Sequence, residues 1–198
     1  MGKNFYDKRL VIVISSPSGT GKTTVCKEIL RLDDKIKLSV SHTTRQPRDN
    51  EENGKDYFFI SNEEFESEVK NNSFLEYAEV FGNFYGSSFV NVDRLLRKEF
   101  DVLFDIDWQG ANQVIKSKIA KIITIFLVPP SKDTVLKRLK KRSEATGDDK
   151  HSIIKRMQKY EREISHSNEY DFVVINDNLK ECVNTVINII NDARTKLN

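Results

Sequence analysis

Eight consecutive residues, Ser16-Pro17-Ser18-Gly19-Thr20-Gly21-Lys22-Thr23, carry the most specific chemistry in this 198-residue chain. They end in Gly-Lys-Thr, with Thr24 behind, directly after an apolar run and at the start of a helical pattern. Glycines at such a turn let backbone N–H groups point inward around phosphate oxygens, and the helix N-terminus adds positive potential. Lys22 is placed to reach the β- and γ-phosphates of a nucleoside triphosphate, and the Thr23 hydroxyl to ligate Mg²⁺. Ser16 stands where the general pattern has its first glycine.

Two further clusters point the same way. Asp105-Ile106-Asp107 ends the apolar run Val102-Leu103-Phe104. Residues i and i+2 of a strand share a face, so both carboxylates are expected on one side, at the strand end where open α/β sheets bind ligands. Asp105 fits an acid that holds Mg²⁺ through water. Asp107 has an alternative role as cap of the helix entered at Trp108-Gln109-Gly110. The third cluster is Ser41-His42-Thr43-Thr44-Arg45-Gln46-Pro47-Arg48, which puts two guanidiniums three residues apart in a Pro-containing loop. Arginine favours bidentate contact with phosphate. Together with the phenols of Tyr57 and Tyr85, Arg45 and Arg48 could enclose one dianion. The spacing alone is equally compatible with a solvated basic loop beside two half-buried aromatics.

The elements that must position these groups alternate between strand and helix patterns, which implies an α/β fold with a parallel sheet. Leu10–Ile14, Asp101–Ile106, Ile122–Val128 and Phe172–Ile175 read as buried strands. Lys22–Leu32, a segment from about Gln109, Ser131–Arg142 with Ser131 as N-cap, and Leu179–Leu197 read as helices. Ser61-Asn62-Glu63-Glu64 has capping-box spacing, so a further helix should start there. Residues 39–89, rich in Tyr, Phe, Asn, Gly and Glu, look like an inserted subdomain. The charged segment from Arg138 to Arg156, which carries Ser143-Glu144-Ala145-Thr146-Gly147-Asp148-Asp149, looks like a mobile flap.

Composition excludes several classes. Lys plus Arg number 32 and Asp plus Glu 30, a net charge of +2, too balanced for a nucleic-acid coat. There is no run of 18 apolar residues, and Met1–Arg9 lacks an apolar signal core, so a cytoplasmic chain with no membrane partner is expected. Two cysteines, Cys26 and Cys182, make neither a disulfide framework nor a zinc site.

The ordered motifs resemble the guanylate kinases over about residues 10–195. The resemblance is carried by the Ser16–Thr23 loop, Ser39–Arg48, Asn53-Gly54-Lys55-Asp56-Tyr57-Phe58-Phe59 and Phe74-Leu75-Glu76-Tyr77-Ala78-Glu79. Further on it is carried by Gly82-Asn83-Phe84-Tyr85-Gly86-Ser87, Asp105–Gly110, Pro129-Pro130-Ser131, Lys155-Arg156-Met157 and Val174-Ile175-Asn176-Asp177. It implies a P-loop kinase core (8–38, 90–137, 157–198), a GMP-binding subdomain (39–89) and a lid (138–156). The implied reaction is reversible, Mg²⁺-dependent phosphoryl transfer from ATP to GMP in purine nucleotide metabolism. Arg45, Arg48, Tyr57 and Tyr85 would hold the GMP phosphate, and Ser41, Glu76, Ser87 and Asp107 would read guanine. The ATP site would be Ser16–Thr24 with Asn176, and the metal site Thr23 and Asp105. Lys22, Arg45 and the lid arginines Arg138, Arg142 and Arg156 would stabilise charge during transfer. The base reading makes chemical sense, because guanine offers N1–H and N2–H₂ donors on one edge and a carboxylate can accept both.

The lid departs from the family pattern. It is about three residues longer between Arg142 and Arg156, Ser143 stands where Gly is common, and His151 replaces an acid. The resemblance leaves open dGMP as a second acceptor and a monomer or homodimer. Two other readings are a catalytically silent, guanylate-kinase-like phosphopeptide-binding module, whose phosphate loop would be degraded, and a P-loop kinase for another monophosphate.

Overall fold

A computed structural model of the chain describes residues 6, 8–49, 51–146 and 150–197, excluding the side chains of 142, 144–146, 150 and 152. In chain order the elements are β1 (Leu10–Ser15), α1 (Lys22–Leu32), β2 (Ile36–Leu38), β3 (His42–Thr43), β4 (Phe58–Phe59), α2 (Asn62–Lys70), β5 (Phe74–Val80), β6 (Asn83–Ser88) and α3 (Phe89–Arg97). There follow β7 (Asp101–Asp105), α4 (Trp108–Ser117), β8 (Lys121–Val128), α5 (Lys132–Thr146), α6 (Lys150–Ser165), a 3₁₀ turn (His166–Glu169), β9 (Phe172–Ile175) and α7 (Leu179–Thr195).

β1 is buried along its whole length because both faces of its sheet are covered. The sheet is parallel, in the order β2-β7-β1-β8-β9. Leu10, Ile12 and Ile14 point to one face, where they pack with Val25 and Ile29 of α1 and Val183, Val186 and Ile190 of α7. Val11 and Val13 point to the other, against Val92 and Leu96 of α3 and Ala111 and Val114 of α4. Truncating one such side chain to Ala typically costs about 2–5 kcal/mol. Arg194 fixes α7 from below, donating to Asp101 at 2.7 Å and Asp33 at 2.6 Å.

The second sheet, β4-β3-β6-β5, lies within residues 42–88. β5 and β6 form an antiparallel hairpin that pairs Glu76 with Ser87 and Ala78 with Tyr85. The capping box holds: Ser61 Oγ accepts from the Glu64 N–H and Glu64 returns the bond to the Ser61 N–H. Ser131 also caps as expected, accepting from the Thr134 N–H at 3.2 Å.

One expectation needs correction. β7 stops at Asp105, so Asp107 does not continue its alternation; the chain leaves the strand at Ile106 and Asp107 becomes the N-cap of α4. Where described, the charged segment is helical: α5 runs to Thr146 and α6 begins at Lys150. Lys, Arg, Glu and Ala are good helix formers. The two helices anchor on each other through Val135, Leu139 and Tyr160, with Ile153, Met157 and Ile164 packed alongside. Gly147, Asp148 and Asp149 lie outside the described residues. No described helix is long and apolar enough to cross a membrane.

Candidate active site

A cleft of about 1020 Å³ opens between the C-terminal ends of β1 and β7 and the hairpin β5–β6. Its floor is the turn from β1 into α1. Gly21 there has φ 100°, a left-handed conformation that suits glycine, and a Cβ on it would sit 2.8 Å from Asn176 Nδ2. All of Ser16–Thr24 lines the cleft. Lys22 Nζ bonds Asp105 Oδ1 at 2.5 Å and the Ile106 carbonyl at 2.9 Å. Burial alone would lower the Lys22 pKa; the Asp105 carboxylate outweighs it, and the net direction is up. The Thr23 hydroxyl donates to the other Asp105 oxygen at 2.9 Å. A hydroxyl and a carboxylate in contact are two hard oxygen donors, a set that suits Mg²⁺, which keeps most of its water.

The opposite wall is acidic and basic by turns. Ser87 Oγ donates to Glu76 Oε1 at 2.5 Å, and Ser41 Oγ lies 3.4 Å from Ser87 Oγ. All three residues are buried. Desolvation lifts the Glu76 pKa to about 7, with the Asp107 charge adding to it and the Ser87 hydroxyl opposing it. Asp107 lines the same cleft, but its Oδ1 is engaged by the backbone N–H groups of Gln109 and Gly110, each at 3.1 Å. Further out, Arg45 lies over the ring of Tyr57, and Tyr57 meets Tyr85 edge to face at 5.9 Å. Burial raises the Tyr57 pKa, so its phenol stays a neutral donor.

The third wall comes from α5 and α6. Arg156 Nη1 donates to Ser18 Oγ at 2.7 Å. Arg138 is turned to the backbone, donating to the carbonyls of Thr20 at 2.8 Å and Asn176 at 3.2 Å. Asn176 is buried, and its amide donates to the Thr20 carbonyl at 2.8 Å, tying the β9–α7 turn to the phosphate loop. The Arg142 side chain lies outside the described residues. The structure thus gathers the other residues singled out from sequence along one cleft, except Ser87, which is fully buried behind Glu76.

Two cleft residues and one buried neighbour escaped the sequence reading as site residues. Glu51 accepts from Arg45 Nη2 with both oxygens, at 2.8 and 2.9 Å, and from the Arg48 N–H at 2.9 Å. A carboxylate therefore sits among the guanidiniums that were expected to hold a phosphate. Its spacing, three residues after Arg48, was a faint signal. Glu163 Oε2 accepts from the Ser18 N–H at 3.0 Å, and burial raises its pKa. Gly110 is the third: a Cβ there would lie 2.3 Å from Glu76 Oε2. Gly110→Ala must displace the Glu76 carboxylate, and from the guanine-reading role that the family resemblance implies for Glu76 we expect a rise of about tenfold or more in KM for a guanine acceptor, with KM for ATP unchanged, read from steady-state kinetics.

Residues 8–193 match the family described as Guanylate kinase. A curated relative from Rickettsia prowazekii (strain Madrid E), named Guanylate kinase, is 46% identical over 192 residues, covering 97% of this chain and 95% of the relative. Another of that name, from Buchnera aphidicola subsp. Acyrthosiphon pisum (strain APS), is 47% identical over 184 residues, covering 91% and 86%. Among solved structures, a guanylate kinase from Anaplasma phagocytophilum aligns with a TM-score of 0.77 at 34% identity, covering 94% of this chain and 86% of that one. With a Gly-Lys-Thr loop and a buried carboxylate facing each other across one cleft, and relatives of that identity over nearly its whole length, the chain belongs to the guanylate kinase family.

Proposed function

We propose that the chain transfers the γ-phosphoryl group of ATP to GMP, reversibly, giving ADP and GDP. The observation that supports this most is the placement of Glu76 and Ser41 in the same cleft as the Ser16–Thr23 loop, with Ser87 bonded to Glu76 from behind. ATP would lie on the loop, with its adenine toward Asn176. GMP would lie against the hairpin, with its N1–H and N2–H₂ edge on Glu76 and its phosphate among Arg45, Arg48, Tyr57 and Tyr85. For that phosphate to bind, Glu51 must yield or share its guanidinium partners.

No nucleophilic side chain is needed, because an oxygen of the GMP phosphate attacks the γ-phosphorus in line. The protein's share is positioning and charge stabilisation. Lys22 would leave Asp105 for the triphosphate, and Arg156, already held at Ser18, would neutralise charge on the transferring group. Closure of α5 and α6 over the cleft excludes water, which would otherwise divert ATP to hydrolysis. Thr23 and Asp105 would hold Mg²⁺, whose bound charge offsets that of the β- and γ-phosphate oxygens. Asp105→Asn weakens that donor set, so we expect the Mg²⁺ concentration for half-maximal rate to rise at least about tenfold, measured by Mg²⁺ titration at fixed ATP.

Incubation with γ-labelled ATP, Mg²⁺ and GMP tests the reaction itself. The label should appear in GDP. Label recovered only as inorganic phosphate, or only in ATP, would overturn the proposal.

A further inference from the structure

Phe81 and Gly82 form the turn between β5 and β6, and both have positive φ, 52° and 80°. This is the twist that two-residue hairpins favour, with Asn-Gly as the usual pair; a bulky aromatic at the first position is out of place. The ring has partners elsewhere. It lies 4.6 Å from Arg156 Cζ and 4.6 Å from Lys159 Nζ, two cations three residues apart on α6. Arg156 in turn donates to Ser18 Oγ at 2.7 Å. Two turns along the same helix face, Glu163 accepts from the Ser18 N–H at 3.0 Å, so α6 grips the phosphate loop at two points. The far end of the same hairpin carries Glu76 and Ser87, bonded across the strands.

We propose that Phe81 is a positioning residue and that β5–β6 is a lever joining the acceptor end of the cleft to the phosphate loop through Arg156. The inference rests on the reading that Glu76 and Ser87 hold a guanine acceptor and Ser16–Thr24 hold ATP. An acceptor on Glu76 and Ser87 orders the hairpin and fixes its tip. The Phe81 face then holds the Arg156 guanidinium, since a cation within about 6 Å of a ring face is attracted to it. A fixed Arg156 no longer has to be ordered when ATP arrives, so acceptor binding tightens ATP binding, and by linkage ATP tightens the acceptor to the same degree.

Phe81→Asn and Phe81→Tyr, made in the intact chain, separate this role from a merely structural one. Asn suits the left-handed position, so the variant should melt no lower than wild type. Tyr keeps the aromatic face, and a cavity of about 300 Å³ lined by Phe81, Gly82, Lys155, Gln158 and Lys159 gives its hydroxyl room. The measurement is the affinity of a non-hydrolysable ATP analogue with and without GMP, by calorimetry, beside steady-state rates. We expect GMP to tighten the analogue on wild type and on Phe81→Tyr, and Phe81→Asn to lose about fivefold of that tightening and of kcat/KM while its Tm holds or rises. An Asn variant with wild-type tightening, a Tyr variant as impaired as Asn, or a fall in Tm that accounts for the lost rate would each overturn the lever. A wild-type chain that turns over no GMP would instead overturn the acceptor reading, and the lever with it.

Discussion

Glu76→Gln should lower kcat/KM for GMP by about 10⁴ while making the protein more stable. The loss follows from hydrogen-bond polarity. On the proposed reading the carboxylate would accept from two guanine donors, whereas the amide would present its own N–H₂ to at least one of them, and a site built around a buried polar pair rejects a mismatch by roughly that factor. The gain follows from burial. The Glu76 pKa stands near 7 in the fold, above its ordinary 4.5, because the site is nearly dry. Below pH 4.5 the group is protonated in both folded and unfolded chains and costs nothing. Between pH 4.5 and 7 the folded form holds the extra proton, and stability is lost as pH rises; above 7 the cost is complete, about 3 kcal/mol. Gln removes that cost and can still accept from Ser87. At pH 8 its Tm should exceed wild type by about 5–10 °C, read by thermal unfolding, with the difference vanishing toward pH 4.5. The same proton governs binding: KM for GMP should rise up to about tenfold per unit as pH falls below 7, and this limb should be absent from the Gln variant.

Arg156→Ala should reduce kcat by about 10³. Its guanidinium lies between the ring of Phe81 and the hydroxyl of Ser18, where α6 meets the Ser16–Thr23 loop. On the proposed reading a group so placed would meet some of the charge on bound ATP, which the acceptor-linked tightening reads, and more of the charge that develops on the transferring phosphoryl. The change should therefore fall on kcat more than on KM for either substrate, in steady-state kinetics with each substrate varied in turn. Arg156→Lys keeps the charge but loses the planar fork that spans Phe81 and Ser18, and should recover only part of the rate. A loss confined to KM for ATP would make Arg156 a binding group and not a charge-stabilising one.

What the sequence disclosed followed chemical rigidity. The Gly-Lys-Thr loop was legible because phosphate binding needs those residue types at fixed spacing between a strand and a helix. The core strands were legible because β1, β7 and β8 are buried on both faces and so read as unbroken apolar runs. The second sheet was visible only as a change of composition, since β3 and β4 are two residues each, too short for alternation to show. β2 and α3 were missed outright. Asp107 was misplaced because strand alternation was carried past the point where the chain turns into α4. Glu51, Gly110 and Glu163 act through partners 3 to 145 residues away, and only the fold brings Gly110 to Glu76 or Glu163 to Ser18. Phe81 gave a local clue, a phenylalanine before glycine at a hairpin tip, but its cationic partners lie on α6.

The most direct measurement is ADP release by the wild-type chain with ATP and Mg²⁺, offering GMP, dGMP, AMP, UMP and CMP separately, beside Glu76→Ala. Turnover with the guanine acceptors alone, collapsing in the variant, is the expected result. Equal turnover of AMP and GMP, or a Glu76→Ala variant that keeps the wild-type preference, would contradict the assignment of Glu76 as the base reader and of GMP as the phosphoryl acceptor.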